Sequence, residues 1–123
     1  SRLIQVKTLA AGATVAYGSD AVTRQTRIAV APVGFADGYP RLPAGGTALI
    51  RGRCVPIIGP RATEHTTFDV TELPDVAVDD EVVLLGRQGD QVITGNDLAA
   101  ATGVPLIELL PRIGCLARRV YRG

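Results

Sequence analysis

Lysine and histidine are almost missing from this chain of 123 residues. Twelve of its thirteen basic side chains are arginines, leaving Lys7 as the one lysine and His65 as the one histidine. Chemistry that needs a lysine Schiff base has only Lys7 to use, and a histidine-rich metal cluster has nothing to be built from. Cysteine is equally sparse. Cys54 and Cys115 stand far apart, without a CxxC spacing or a histidine partner, which excludes a zinc site and a disulfide framework. No excess of one charge exists either: thirteen basic groups against twelve acidic ones leave +1. No basic block occurs, and two Phe and three Tyr offer few stacking surfaces, so nucleic acid and anionic lipid are not expected partners. No apolar run approaches the roughly 20 residues of a membrane helix, and the opening residues do not read as a signal peptide, so none is expected. The expected setting is the cytoplasm.

What is present is 46% hydrophobic and 20% charged residues with fourteen glycines scattered along the chain, a composition that excludes disorder. A mass of 12.9 kDa is one domain, large enough to hide roughly two-thirds of its surface without staples. Short apolar runs ended by glycine or proline predict a mainly β fold, barrel-like or sandwich-like. Strands are expected at 3–8, 14–17 (ending at Gly18), 27–33, 48–50, 53–58, 66–70, 81–85 and 91–93. Turns are expected at Ala11-Gly12, Arg51-Gly52, 72–75 and 86–90, and a proline- and glycine-rich loop at 40–46. The last third changes character. Thr94-Gly95-Asn96-Asp97 fits a capping box, Gly103 the stop of that helix, and Pro105 the start of a second short helix through Leu110. Residues 116–121 read as a closing strand with its arginines outward.

Val15-Ala16-Tyr17-Gly18 and Pro32-Val33-Gly34-Phe35-Ala36-Asp37-Gly38-Tyr39-Pro40-Arg41 resemble two signatures of the C-terminal domain of alanine racemases. Pro56-Ile57-Ile58-Gly59, Phe68-Asp69-Val70-Thr71 and Asp79-Asp80-Glu81-Val82-Val83-Leu84-Leu85-Gly86 continue the resemblance in order and spacing along essentially the whole chain. Several motifs in register are far more specific than any one of them. The resemblance implies a fold-type III pyridoxal-phosphate (PLP) enzyme, in which an N-terminal α/β barrel precedes a C-terminal β domain and two subunits pair head to tail. On this reading residues 1–123 are that C-terminal domain, a small β-barrel-like unit with a short helical excursion near its C-terminus. The PLP-binding barrel is then absent from this chain, which holds no cofactor alone and is inactive in isolation. Lys7, in the strand at the domain junction, does not stand where the cofactor lysine would be.

The implied reaction is L-alanine to D-alanine interconversion for peptidoglycan precursors, and the implied catalytic residue is Tyr17, supplied to the partner subunit's active site. A free phenol titrates near pH 10, so a tyrosine base needs cationic neighbours, which the resemblance assigns to a histidine and an arginine of the partner's barrel. Taken alone, a tyrosine at a strand end is ordinarily a rim residue with its hydroxyl in water. Phe35 stands where most members carry a second tyrosine near the substrate; it keeps the shape and loses the hydroxyl. Gly59-Pro60-Arg61-Ala62-Thr63-Glu64-His65 departs further from the usual Gly-Arg-Val-Cys-Met-Asp-Gln. Thr63 occupies the position whose backbone amide meets the substrate carboxylate, and a backbone donor survives a side-chain change if the loop keeps its path. Arg61 is a new cation in that loop, placed for a substrate carboxylate. His65 reads as a polar loop residue, Cys115 as the counterpart of a gate residue or a small buried hydrophobe, Cys54 as a buried one. Asp37-Gly38 reads as turn chemistry around Phe35, and Arg112, Arg118 and Arg119 as solvated or interfacial. A rival reading stays open: a stand-alone, non-catalytic dimerisation or regulatory module derived from this domain. An RNA-binding barrel is poorly supported by the few aromatics and the neutral charge.

Overall fold

The computed structural model describes residues 1–17, 21–41, 46–116 and 118–122, with backbone alone at 114 and 116. Eight strands form three antiparallel sheets, ordered β1-β2-β5, β4-β3-β6 and β7-β8. The strands are β1 (Gln5–Leu9), β2 (Thr26–Ala31), β3 (Thr47–Ile50), β4 (Arg53–Pro56), β5 (Thr66–Asp69), β6 (Val82–Val83), β7 (Gly86–Gln88) and β8 (Gln91–Ile93). Two helices, α1 (Gly95–Thr102) and α2 (Leu106–Leu116), follow. The mainly β expectation holds, but these sheets do not close on themselves as a barrel.

Central β2 is apolar from Ile28 to Ala31, where neighbours flank it and both its faces are covered: Ile28, Ala29 and Ala31 are buried and Val30 half-buried. Its neighbour β5 alternates, with Thr66 and Phe68 inward. In the second sheet Ala48, Leu49, Ile50, Val55 and Val82 are all buried. An isolated bridge, Ile57 to Phe68, joins the two sheets over the shared core. The Arg51-Gly52 hairpin forms as expected, with φ of 51° and 71° at its two central residues, the left-handed pair that matches strand twist.

Four expectations are corrected. Residues 14–17 form no strand: only Thr14 makes a bridge, to Ala21, because Ala16 and Tyr17 turn to φ of 45° and 34°. Gly86-Arg87-Gln88 is strand rather than turn, and the reversal tightens onto Gly89-Asp90, while Val82-Val83 pairs with β3 instead. Helix α2 runs past Leu110 to Leu116 with Pro111 inside it. The ring removes one backbone bond, yet Leu109 and Ile113 on the same helix pack on the core and hold the last turns in place. Residues 118–122 form no closing strand; Val120 and Tyr121 are exposed. Their alternation suits a strand, but they join none of the three sheets. Gly18 and most of the 40–46 loop lie outside the described residues. The capping box is as expected: Thr94 N–H donates to Asp97 Oδ2 (2.7 Å) and Asp97 N–H to Thr94 Oγ1 (3.1 Å). Gly103 ends α1 at φ 70°. No helix among the described residues is long and apolar enough to cross a membrane.

One polar link spans the turns of the second sheet. Arg51 Nε donates to Asp80 Oδ2 (2.7 Å), which also accepts from the Ala77 N–H (2.9 Å). The Arg51 hydrogen bond first, and the Ala77 amide second, hold the Asp80 carboxyl below its ordinary range. Its folded value therefore lies under the unfolded one near 3.9, so this contribution is complete above about pH 4 and is lost as pH falls through the depressed value. Asp80→Asn is expected to melt below wild type at neutral pH. The gap should close as the pH drops below about 4, read by thermal denaturation across pH.

Candidate active site

Tyr17 sits at the tip of a narrow loop. The Gly12 N–H donates to the Val22 carbonyl and the Val22 N–H to the Ala13 carbonyl, both at 2.8 Å, which fixes the stem. Beyond the stem, Val15 turns inward and is buried, whereas Tyr17 is 81% exposed. Two successive non-glycine residues with left-handed φ cost about 1–3 kcal/mol each, a strain the surrounding contacts must hold. The Tyr17 hydroxyl bonds to nothing among the described residues. The buried anchor is Val15 on Gly59: a Cβ at Gly59 would lie 2.9 Å from Val15 Cγ1.

Gly59 opens the loop that carries Thr63. The Ala62 N–H donates to the His65 carbonyl (3.1 Å), closing the loop on itself. Its outer carbonyls face inward: the Phe35 N–H donates to Ala62 O (3.3 Å) and the Ala36 N–H to Thr63 O (2.9 Å). A carbonyl and the N–H of the same trans peptide point in opposite directions. With Ala62 O and Thr63 O turned into the protein, the N–H groups of Thr63 and Glu64 are therefore turned out. Among the described residues neither amide, nor that of His65, has an acceptor, and all three residues are exposed. The arrangement offers outward donors to an anionic group.

The segment that receives this loop is a 3₁₀ turn, Phe35–Asp37. Asp37 Oδ2 accepts from the Gly34 N–H (2.9 Å), the turn chemistry expected of it, and Gly38 leaves the turn at φ 84°. Close approach is the reason for both glycines. A Cβ at Gly34 would lie 2.3 Å from the Ala62 and Thr63 carbonyl oxygens, and one at Gly38 would lie 2.2 Å from the Arg112 carbonyl oxygen of α2. Phe35 itself is 43% exposed, with the Arg41 guanidinium 5.9 Å above its ring.

The structure thus joins the Phe35-Ala36 stretch to Ala62-Thr63 by two backbone hydrogen bonds and ties both to the Tyr17 loop through Val15 and Gly59. It does not bring Arg61 to the surface. That side chain is 3% exposed, its Nη1 bonded to Pro40 O (2.8 Å) and its guanidinium 4.4 Å from the Tyr39 ring centroid. Turned inward, it is not placed for a substrate carboxylate. Burial pulls the Arg61 guanidinium below its ordinary range and pushes the Tyr39 phenol above 10, each opposed by the other's proximity. The two cysteines are also corrected: Cys54 on β4 and Cys115 on α2 are exposed rather than buried. Asp37-Gly38 was readable as turn chemistry in sequence, but what Gly34, Gly38 and Gly59 each pack against was not.

Lys7 is exposed on edge strand β1. A cavity of about 540 Å³ behind the 3₁₀ turn is lined by Asp37, Tyr39, Glu81, Val82, Ile113 and Arg118 among others, and no lysine faces it. The described residues therefore do not fit PLP, whose binding needs a lysine amine in a pocket.

Along the sequence, the family "Alanine racemase, C-terminal domain" is matched over residues 1–121. The chain belongs to the alanine racemase C-terminal domain family. It is 41% identical over 124 residues to the alanine racemase of Halothermothrix orenii, covering 99% of this chain and 33% of that protein. Alanine racemase from D-cycloserine-producing Streptomyces lavendulae superposes with a TM-score of 0.87 at 35% identity, over 100% of this chain and 32% of that one. Histidine racemase from Leuconostoc mesenteroides subsp. sake gives 0.80 at 34% identity, over 89% and 29% respectively. The chain spans about a third of the length of these relatives.

Close packing at Gly38 makes a sharp comparison within this family domain. Gly12 has φ 88° and open space around it, whereas Gly38 has φ 84° and the Arg112 carbonyl against it. Gly12→Ala should cost about 1–2 kcal/mol of backbone strain, and Gly38→Ala that much plus about 1–3 kcal/mol of overpacking. Chemical denaturation of the two variants measures the difference.

Proposed function

We propose that residues 1–123 are the C-terminal β domain of a PLP-dependent amino-acid racemase and that Tyr17 is the base acting on the L-enantiomer's α-proton. The observation that carries this reading is Tyr17 itself: a large aromatic, 81% exposed, on a strained turn, with a hydroxyl that has no partner among the described residues. A purely structural tyrosine gains nothing from such a presentation. The relatives, named as alanine and histidine racemases, support amino-acid racemisation as the class. The reaction assigned is L-alanine to D-alanine in the cytoplasm, for peptidoglycan precursors.

PLP, when bound, supplies the electron sink that lets an α-proton leave. The cofactor belongs to an N-terminal α/β barrel outside these residues, since Lys7 has no pocket. In a head-to-tail homodimer, Tyr17 reaches the site held by the partner's barrel, where cationic neighbours stabilise its phenolate and so make it a base at neutral pH. The outward N–H of Thr63 donates to the substrate carboxylate, aided by the outward backbone N–H of Glu64. Phe35 forms an apolar wall beside that loop without contributing a hydroxyl. The opposing subunit covers the outer side of α2, where Ile107 is 82% and Leu110 47% exposed. A non-catalytic dimerisation module would use the same apolar side but would leave Tyr17 without a purpose.

The test uses the full-length protein that carries this chain. Tyr17→Phe keeps the ring and removes the base; exchange of the L-alanine α-proton with deuterium should fall by about 100-fold or more, with the cofactor's visible absorbance unchanged. Unchanged exchange would remove Tyr17 from the mechanism. Thr63→Pro, which deletes the N–H, should raise KM about tenfold, whereas Thr63→Ala, which keeps it, should leave KM near wild type. Steady-state kinetics separates the two.

A further inference from the structure

Among the described residues Arg61 is the one buried charged side chain, and its guanidinium meets no carboxylate. Its Nε has no partner at all. Both polar contacts it does make fall on one short stretch: Nη1 donates to Pro40 O at 2.8 Å and Nη2 to the Tyr39 hydroxyl at 3.5 Å, over the Tyr39 ring. The next two residues, Ala62 and Thr63, give their carbonyls to Phe35 and Ala36 at the front of the same stretch. The loop is therefore held on residues 35–40 at two points, by backbone bonds at the front and by the Arg61 fork at the rear. Thr66 Oγ1, bonded to Val33 O at 2.6 Å, secures its far end.

Burying a charge is costly, and even a buried ion pair can often be replaced by apolar side chains of similar volume without loss of stability. A guanidinium kept here serves geometry: a planar fork fixes direction where a flexible apolar chain would not. We infer that Arg61 is a positioning residue for substrate binding, setting the path of the 61–65 loop so that the Thr63 N–H stays turned toward the substrate carboxylate. This inference rests on the reading of Thr63 given above.

The experiment compares Arg61→Met and Arg61→Lys in the full-length protein by three measurements. These are hydrogen exchange at the Phe35 and Ala36 amides, KM and kcat for alanine, and the dissociation constant of propionate, a carboxylate without an amine. In Arg61→Met, exchange at the two amides should rise at least about tenfold, and KM and the propionate constant should each rise about tenfold, with kcat within about threefold. Arg61→Lys keeps a donor for Pro40 O and loses the fork, so it should recover part of each loss. Wild-type exchange and wild-type KM in Arg61→Met overturn the inference while leaving Thr63 as a donor, as Thr63→Pro reports separately. Faster exchange with unchanged KM and propionate affinity overturns it through the underlying reading, because the loop would then move without affecting carboxylate binding. If Arg61→Met does not fold, Arg61→Lys decides: a KM raised about threefold with faster exchange upholds the inference, and a wild-type KM overturns it.

Discussion

Three places where backbone lies against backbone or side chain with no room for a Cβ hold the candidate site together. Gly59 admits Val15, Gly34 admits the carbonyls of Ala62 and Thr63, and Gly38 admits the carbonyl of Arg112. Through them the Tyr17 loop, the Thr63 loop, the 3₁₀ turn of Phe35 and helix α2 form one connected series. Each contact is steric, so each is intolerant: at Gly34 and Gly38 a methyl group must displace backbone, and at Gly59 it must displace the buried Val15 side chain. The outward direction of the Thr63 and Glu64 amides is a consequence of this series, since the facing carbonyls are turned in by the contact at Gly34.

The electrostatic side of the structure is spare. Two ion pairs, Arg24 with Glu72 and Arg51 with Asp80, lie at the surface among the described residues, and the single buried cation is balanced by a carbonyl and an aromatic face rather than by an anion. An aromatic face is a weak counter-charge that becomes stronger once water is excluded.

How much was legible beforehand depends on the range of the interaction concerned. The capping box at Thr94-Asp97, the stop at Gly103 and the Arg51-Gly52 turn rest on contacts within four residues, and all were readable. The β2 and β3 strands followed from short continuous apolar runs, and β5 from a period of two. Residues 14–17 looked equally strand-like, but Val15 is drawn inward by Gly59, more than forty positions away, and the chain turns sharply to let it. Helix α2 outlasted Pro111 because Ile113 packs on the core, and the tail at 118–122 is not a strand although its residues alternate. Cys54 and Cys115 were misplaced for a related reason: sulfur resembles a small hydrophobe, and only the neighbours decide which side of a strand or helix it occupies.

Composition and periodicity were sufficient for the mainly β class, because local propensity and residue type are carried by the chain at every position whatever surrounds it. The ordered motifs carried the family resemblance, and it was the resemblance that singled out Tyr17, Phe35 and Thr63. Folding alone decided that Arg61 turns inward onto Tyr39, that the strands stay as three sheets, and that the Thr63 amide faces out while the Ala62 carbonyl faces in. Each of these depends on which distant backbone arrives opposite, and no short window of sequence contains that partner.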